Sequence, residues 1–224
     1  MTMTEHDAAL WPETQSLRDH ARLLARQSGV RLIAAFLAAT IVVRVAMGQW
    51  SWRDAIGPLV VLGLEPLTEW MIHVFILHFR PKSVFGRHWD PLIARKHREH
   101  HAEPRNLELV LVPHRVLVVV LPVAAVIAAV AGRLQPQAFT TLAAAYAMLL
   151  TYEWTHFLMH SKYRPRHGYY RVIWRHHRNH HFRNEHYWFG VTVDLGDRVL
   201  RTRPAKDAVP VSPTAHTASA GLTD

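Results

Sequence analysis

The stretch RVLVVVLPVAAVIAAVAG, residues 115–132, decides the fold, because it is almost entirely apolar over its whole length. A helix of about 20 apolar residues crosses the hydrocarbon core of a bilayer. Three further apolar stretches of similar length lie at about 31–47, 56–79 and 138–159. Together with the core of the first stretch, 116–131, they predict an all-α integral membrane protein with four transmembrane helices.

Composition limits the chemistry that the chain can perform. Its 224 residues, which fit one ordinary domain, include no cysteine. This absence excludes disulfides, cysteine zinc sites, thiol nucleophiles and cysteine-ligated iron–sulfur clusters. Any bound metal is therefore held by nitrogen and oxygen atoms. Within the predicted spans, Arg44, Glu65 and Glu69 indicate an interior lined by protein or water.

The distribution of Lys and Arg between the loops predicts the orientation in the membrane. The connections 48–55 and 132–137 hold one Arg each, whereas residues 80–115 hold eight Lys or Arg and residues 161–224 hold eleven. Cytoplasmic loops carry the excess of these residues. We therefore expect both basic segments, both termini and the active site to be cytoplasmic, as in a multi-pass protein of a bacterial inner membrane.

These patterns predict three regions. Residues 1–30, which are polar and show no signal peptide, form a cytoplasmic N-terminal segment, and residues 31–203 form the membrane domain. The last region, 204–224, reads PAKDAVPVSPTAHTASAGLTD. Small polar residues with proline cannot bury enough surface to become ordered, so this region is predicted to be a disordered tail.

Histidine is concentrated near the predicted cytoplasmic face. Fifteen of the 18 histidines lie between His73 and His186. Ten form the groups HVFILH, HREHH, HFLMH and HRNHH, in which a pair at the end of a span is twice followed by HxxHH. The ten candidate metal ligands are His73, His78, His97, His100, His101, His156, His160, His177, His180 and His181.

The spacing within these groups explains how they can bind metal. Residues three and four apart share one face of a helix, and HFLMH and both HxxHH groups satisfy this rule. In HVFILH the spacing of five separates the two rings by about 140° on an ideal helix. That pair either serves two metals or lies where the helix unwinds. Ten imidazoles exceed the needs of one ion, and they suit zinc, copper, iron or nickel, so the sequence predicts a two-metal centre.

Three further residues are candidates for orienting these ligands. Glu69 lies one turn before His73, and Glu153 lies three residues before His156. A carboxylate in such a place can bind an imidazole N–H or bridge two metals. Asn184, which follows the last group, is the third candidate.

The remaining histidines, and the basic charge, have simpler interpretations. Single histidines in polar segments are expected to be solvated, while His176 and His186 are left open. The ten grouped histidines could also be a surface tract that binds metal adventitiously, but such a tract would not pair twice with the ends of membrane spans. Basic residues that flank spans are explained by topology and anionic lipid, so no nucleic-acid partner is expected. The histidines expected to be solvated are His6, His20, His88, His114, His167 and His216.

Four motifs together resemble the fatty acid hydroxylase and sterol desaturase superfamily, and within it the fatty acid 2-hydroxylases most closely. They are HVFILH, HREHH, YEWTHFLMHSKY and WRHHRNHHFRNEHYWFGVT, between about residues 69 and 192. The resemblance implies a dimetal centre held by the ten histidines, on the cytosolic side of a four-helix transmembrane bundle capped by cytosolic helices. It implies two iron ions, with zinc as another occupant.

The resemblance also implies an activity. Reduced diiron activates O₂ and inserts one oxygen atom into a C–H bond of a fatty acyl chain, at C2 of a free or lipid-linked fatty acid. Thirty residues before the first span are too few for a fused cytochrome domain, so a separate ferredoxin or cytochrome carrier and its reductase are expected. Arg98, Arg105 and Arg178 are candidates for docking that carrier.

Two alternatives remain open at this stage. A sterol, carotenoid or other lipid could be the substrate, with hydroxylation or desaturation as the outcome. A non-catalytic membrane metal-binding protein belongs to a different class. A transporter would place its ligands near the bilayer midplane, whereas these motifs lie at span ends and in loops, which favours the enzyme.

Overall fold

The computed structural model describes residues 16–166 and 168–215. Helices dominate these residues, as the sequence predicts. The helices are α1 Leu17–Ala25, α2 Ser28–Met47, α3 Ile56–Met71, α4 Leu92–Ala102, α5 Leu107–Val110, α6 His114–Ala131, α7 Pro136–His160, α8 Gly168–Phe182 and α9 Leu195–Val199. A π-helical segment, Ile72–Leu77, continues α3, and two short 3-10 turns lie at Trp52–Ala55 and Lys206–Ala208.

The prediction of an all-α chain was wrong at one place. Strands β1 Lys82–Val84 and β2 Arg87–Trp89 form an antiparallel hairpin, with Ser83 opposite His88. Its two-residue turn has positive φ at both Phe85 (50°) and Gly86 (73°). Such a turn matches the twist of paired strands, and glycine adopts it without steric strain. Six strand residues are too few to leave a clear alternating pattern in the sequence.

The chain divides into two compact units. The histidine unit comprises, among the described residues, 16–20, 66–111 and 155–215. The bundle unit comprises residues 21–65 and 112–154. The four histidine motifs all lie in the histidine unit, so residues distant in sequence are brought together there.

Three helical stretches are long and apolar enough to cross a membrane: Ser28–Met47, Trp52–Leu77 and Leu107–Ala131. Large apolar side chains cover their surfaces, and Val42 and Val130 are 67% and 73% exposed. Apolar surface on this scale indicates a membrane protein. The fourth predicted span, α7, has 25 residues but is not among the three, because its threonine, tyrosine, histidine and glutamate residues lower its mean hydropathy.

The core of the bundle unit is apolar and closely packed. Ile33 of α2, Leu117 and Leu121 of α6, and Leu142 and Tyr146 of α7 form one buried cluster. The Tyr146 hydroxyl donates to the carbonyl of Leu121 at 2.6 Å, so the polar end of this ring is satisfied within the core.

Arg44, a charged residue inside a predicted span, is surrounded by protein. Its side chain is 3% exposed, and its guanidinium donates to Asp54 (2.5 Å) and to the Gly48 carbonyl (2.7 Å) and lies 3.6 Å from the centre of the Trp50 ring. The Thr140 hydroxyl of α7 accepts from the same guanidinium at 2.8 Å. A buried charge needs such partners.

Residues 204–215, which the sequence predicts to be part of a disordered tail, make tertiary contacts in the structure. Val209 is buried, and its carbonyl accepts from the Arg183 side chain at 2.7 Å. The backbone N–H of Ser212 donates to the Arg183 carbonyl at 2.8 Å. Contacts with the loop directly after α8 hold this segment in place, which composition alone cannot reveal. Residues 216–224 lie outside the described part of the chain.

Candidate metal centre

The ten predicted ligands meet in the histidine unit and divide into two groups of five. Within each group, one nitrogen from every ring lies within 4.8 Å of the others. Cluster A contains His73, His78, His97, His101 and His180. Cluster B contains His100, His156, His160, His177 and His181.

Four Nε2 atoms of cluster A form a closed ring. His78 and His97 are 3.3 Å apart, His97 and His101 3.1 Å, His101 and His180 3.2 Å, and His180 and His78 3.2 Å. A square with these edges places each nitrogen about 2.3 Å from its centre, near the ~2.0–2.1 Å of a zinc–imidazole bond. The ring therefore fits one metal ion.

Cluster B has comparable spacing. The Nε2 atom of His160 lies 3.2 Å from that of His100 and 2.8 Å from that of His177, and His177 lies 3.1 Å from His181. The ring centre of His156 is 4.7 Å from that of His160. The ten histidines thus form two groups that could each hold a metal ion, and the two-metal centre itself stays a prediction.

The two HxxHH motifs are each shared between the clusters. In HREHH, the first and last histidines join cluster A, and the middle one, His100, joins cluster B. In HRNHH, the first and last join cluster B, and the middle one, His180, joins cluster A. The two histidines that are four residues apart join one cluster, while the histidine three residues after the first lies at the other edge of the helix face and joins the other cluster. The His101 and His181 rings stack with centres 4.2 Å apart where the clusters meet.

The irregular spacing of HVFILH is explained by the π-helical segment Ile72–Leu77. The N–H of His78 donates to the carbonyl of His73 at 3.0 Å, a hydrogen bond between residues five apart. This wider winding places both rings in cluster A, with centres 5.1 Å apart. The interpretation that this pair serves two metals was therefore wrong. Single π-helical turns of this kind are frequent at functional sites.

Burial keeps the six cluster imidazoles of α4 and α8 neutral. Desolvation, reinforced by neighbouring imidazoles, holds the pKa of His97, His100 and His101 well below the usual 6.5. The same causes lower the pKa of His177, His180 and His181. Metal ions bind the neutral form, so these side chains are prepared to act as ligands.

Backbone carbonyls fix the tautomer of two ligands in cluster A. Nδ1 of His73 lies 2.5 Å from the Phe189 carbonyl, and Nδ1 of His180 lies 2.7 Å from the Tyr187 carbonyl. A carbonyl only accepts, so both Nδ1 atoms carry the proton and both Nε2 atoms present a lone pair to the cluster. Nε2 of His73 is buried and has no hydrogen bond within the described structure. A metal ion would satisfy it.

Glu69 holds the segment that carries one of these carbonyls. Its carboxylate accepts from the backbone N–H of Val191, and from the N–H (3.0 Å) and the hydroxyl of Thr192. Glu69 thus fixes the chain two residues beyond Phe189, whose carbonyl faces His73. The role of Glu69 in orienting ligands remains a prediction. These contacts indicate that it would act through the segment that holds the Phe189 carbonyl.

The two other candidates for orienting ligands bind the backbone. Glu153 is buried in the bundle unit and accepts from the Val112 N–H at 3.1 Å. Asn184 accepts from the His186 N–H at 3.0 Å and donates to the Pro210 carbonyl at 3.2 Å. The hydrogen bonds of Asn184 therefore order the loop after α8 and the segment that follows it.

The sequence did not single out Asp197, which is fully buried and bound to His176 at 2.8 Å. The only sequence signal was a carboxylate in a strongly basic segment close to the last histidine group. His176, whose role was left open, is also buried.

Another histidine was misjudged. His20, predicted to be solvated, is fully buried, with Nδ1 2.8 Å from the Ser16 carbonyl and its ring against Phe157 and Tyr163. His88 and His114 are exposed as predicted. The remaining histidines expected to be solvated, His6, His167 and His216, lie outside the described residues.

Arg98, a predicted docking residue, already has partners within the chain. It donates to both oxygens of Asp90, at 2.6 and 2.7 Å, and to the Phe79 carbonyl at 2.9 Å. The guanidinium of Arg178 lies over the Trp174 ring, 4.6 Å from its centre. These contacts leave less of each side chain available for an acidic carrier.

The fold and the site define a class: a helical membrane protein whose buried histidine clusters can hold metal ions. The chain belongs to the fatty acid hydroxylase family, whose sequence model matches residues 58–202.

Similar proteins agree with this assignment. Dihydroceramide fatty acyl 2-hydroxylase FAH1 of Arabidopsis thaliana is 31% identical over 157 residues, which cover 68% of this chain and 63% of the relative. FAH2 of the same plant is 28% identical over 153 residues, covering 66% and 62%. The chain thus spans slightly less than two thirds of the length of these relatives.

A solved structure shares the fold. The structure of full-length scs7p, in which only the hydroxylase domain is visible, superimposes with a TM-score of 0.64 at 23% identity. The match covers 84% of this chain and 71% of that chain. At this identity the comparison supports the fold alone.

Proposed function

We propose that this chain is a membrane-bound diiron oxygenase that hydroxylates a fatty acyl chain, at C2 of a free or lipid-linked fatty acid, with O₂ and external electrons. The observation that carries the proposal is the division of ten buried or half-buried histidines into two adjacent groups of five. Family membership supports hydroxylation, and the names of the Arabidopsis thaliana relatives support position 2 of a fatty acyl group.

The residues present fit two iron ions. Clusters A and B offer imidazole nitrogens only, a donor set that suits iron as well as zinc. Iron bound there supplies the activation of O₂ and the oxidation of a C–H bond. The chain contributes neutral ligands, the backbone carbonyls that orient His73 and His180, and burial that excludes water from the site.

The compact histidine unit supports four membrane crossings. Residues 66–111 and 155–215 contribute to this one unit, which supports placing the loops that carry their histidine motifs on the same side of the membrane. A chain that crosses through α6 has to cross back before residue 155, and α7 is the helix available. We therefore propose α7 as the fourth span. The basic loops favour the cytoplasm as the side of the site and of both termini.

Electrons are proposed to come from a separate carrier of the ferredoxin or cytochrome type with its reductase. The support is the basic character of the histidine unit, which complements an acidic carrier. Because Arg98 is bound to Asp90, the proposed docking surface consists of other, exposed basic side chains, such as Arg164 and Arg175.

Lipid mass spectrometry tests the proposed function. Cells that express the intact chain are compared with cells that express His180→Ala, which removes one ligand of cluster A. The matched control is His88→Ala, since His88 is exposed and belongs to neither cluster. We expect an acyl species heavier by one oxygen atom with the intact chain and with His88→Ala, and its loss with His180→Ala.

Fragmentation of the new species locates the oxygen and distinguishes C2 from other positions. A species lighter by two hydrogen atoms would identify a desaturase instead. Identical lipids in all three strains, with iron bound and with electron donor and O₂ supplied, would contradict the proposed hydroxylase.

A further inference from the structure

We propose that Asp197 is a positioning residue for cluster A alone, so that it controls the occupancy of one of the two metal sites. It acts through residues 187–190, the segment whose carbonyls face two ligands of that cluster. The inference rests on the proposed two-metal centre. It adds a residue outside the histidine motifs and predicts that the two sites respond differently to its loss.

Asp197 binds this segment with an unusual number of hydrogen bonds. Its carboxylate is fully buried and accepts from the backbone N–H of Phe189 at 3.0 Å and of Gly190 at 2.6 Å. It also accepts from Nε2 of His176 at 2.8 Å and from the Thr202 hydroxyl at 2.5 Å. Four donors converge on one carboxylate, so its position and that of the segment are mutually fixed.

The fixed segment then orients two metal ligands. The Phe189 carbonyl accepts from Nδ1 of His73 at 2.5 Å, and the Tyr187 carbonyl accepts from Nδ1 of His180 at 2.7 Å. Between them, the N–H of Trp188 donates to the Thr202 carbonyl at 2.9 Å. Groups that bind the outer nitrogen of a ligand imidazole set its orientation and basicity.

Cluster B does not receive its backbone hydrogen bonds from this segment, because those of His156 and His160 come from Val110 and Pro104. Nδ1 of His100, His177 and His181 is buried without a hydrogen-bond partner in the described structure. Both ligands that segment 187–190 orients belong to cluster A. A change at Asp197 should therefore alter metal binding at cluster A and leave cluster B nearly unchanged.

Asp197→Asn tests this link while preserving the size of the side chain. One acceptor oxygen becomes an NH₂ group that faces existing donors, so the hydrogen bonds to segment 187–190 cannot all persist. Loss of an outer group of this kind lowers metal affinity by ~10–100-fold. The matched control is Asp194→Asn, because buried Asp194 pairs with Arg198 (3.0 Å) and Arg203 (2.8 Å) instead of this segment.

The measurement is the number of zinc ions bound per chain. The protein is purified in detergent, incubated with chelators of increasing zinc affinity, and then subjected to elemental analysis. At a chelator strength where the intact chain and Asp194→Asn retain two zinc ions, we expect Asp197→Asn to retain one. Cobalt(II) absorption provides a second readout, since loss of one site removes part of the spectrum while the other part persists. A purely structural defect would weaken both sites together.

Double variants identify the site that is lost. Asp197→Asn combined with His177→Ala, a cluster B ligand, should retain no zinc at that chelator strength. Asp197→Asn combined with His180→Ala should retain one ion, as His180→Ala alone does. If Asp197→Asn does not fold, Thr202→Val, which removes one of the four donors, should weaken cluster A by a smaller factor.

The outcomes separate the two proposals. If Asp197→Asn or Thr202→Val keeps both zinc ions with unchanged affinity, or loses both equally, the role of Asp197 is overturned and the two-metal centre stands. If the intact chain itself binds fewer than two metal ions, the proposed function fails.

Discussion

At the scale of single residues, Gly190 shows how closely the loop after α8 approaches its neighbours. A Cβ atom at this position would overlap the Val193 carbonyl oxygen and would lie 3.1 Å from Oδ2 of Asp197. The N–H of Gly190 also donates to that carboxylate. Glycine is required here because the Val193 carbonyl oxygen lies where a Cβ atom would be. Gly190 belongs to segment 187–190, which orients two histidines of cluster A.

Gly190→Ala should therefore destabilise the protein and weaken metal binding. Overpacking of a closed site typically costs about 1–3 kcal/mol. We expect a lower melting temperature in detergent and a lower zinc content at cluster A. The control is Gly63→Ala, because nothing lies within 4 Å of a Cβ atom at Gly63. Equal melting temperatures for the two variants would show that the loop accommodates the methyl group.

At the scale of secondary-structure elements, polar groups join the ends of helices in the bundle unit. Arg44 near the end of α2 binds Asp54 in the 3-10 turn before α3, and Thr140 in α7 donates to the same carboxylate at 2.9 Å. A buried ion pair with satisfied hydrogen bonds specifies how elements meet more than it adds to stability. This network thus positions α2, the 3-10 turn before α3, and α7 relative to one another.

Asp54→Ala should lower the melting temperature by several degrees, because it leaves the Arg44 guanidinium buried without its carboxylate. Arg44→Met combined with Asp54→Ala should recover part of the loss, since no buried charge remains. Thermal unfolding of the single and double variants in detergent measures both effects. The control is Lys96→Met, which removes an exposed pair with Glu99 (2.5 Å) and should change stability by less than about 0.5 kcal/mol. A double variant less stable than Asp54→Ala would refute this account.

The π-helical segment shows a second effect at this scale. An ideal α-helix would separate the rings of His73 and His78, whereas the wider turn brings both into cluster A. Over one turn the regular α-helical hydrogen bonding is lost, and the candidate metal site of cluster A gains a second imidazole from the same element. Irregular winding at the end of α3 is therefore part of the site.

At the scale of the whole molecule, the compact histidine unit ties membrane topology to metal binding. Its parts come from three separate stretches of the chain, and we propose that the loops of these stretches lie on one side of the membrane. Even a single cluster, cluster A, combines histidines from α4, from α8 and from the π-helical segment and its C-terminal end after α3. An odd number of crossings between α5 and α8 would separate the ligands of both clusters.

Because the chain has no cysteine, single cysteines report this topology cleanly. Ser83→Cys in the hairpin and Lys206→Cys after α9 are exposed, as is Gln135→Cys between α6 and α7. In intact cells, a membrane-impermeant maleimide should label Gln135→Cys and spare the other two until the membrane is permeabilised. Labelling of Lys206→Cys together with Gln135→Cys would mean that α7 does not cross.

Local features of the sequence carried much of the prediction. The apolar stretches gave three helices of the required length and composition, since hydropathy depends only on residues adjacent along the chain. Histidine spacing gave all ten members of the two clusters, because residues three and four apart share a helix face. The missing cysteine had already limited the ligands to nitrogen and oxygen.

The sequence by itself determined which residues could bind metal, and the tertiary structure decided how they are combined. His78 and His180 are 102 residues apart yet belong to one cluster, whereas His180 and its neighbour His181 belong to different clusters. The burial of His20, the order of residues 204–215 and the role of Asp197 likewise depend on distant contacts. Spacing fixes the face on which a side chain lies, but only packing decides what that face meets.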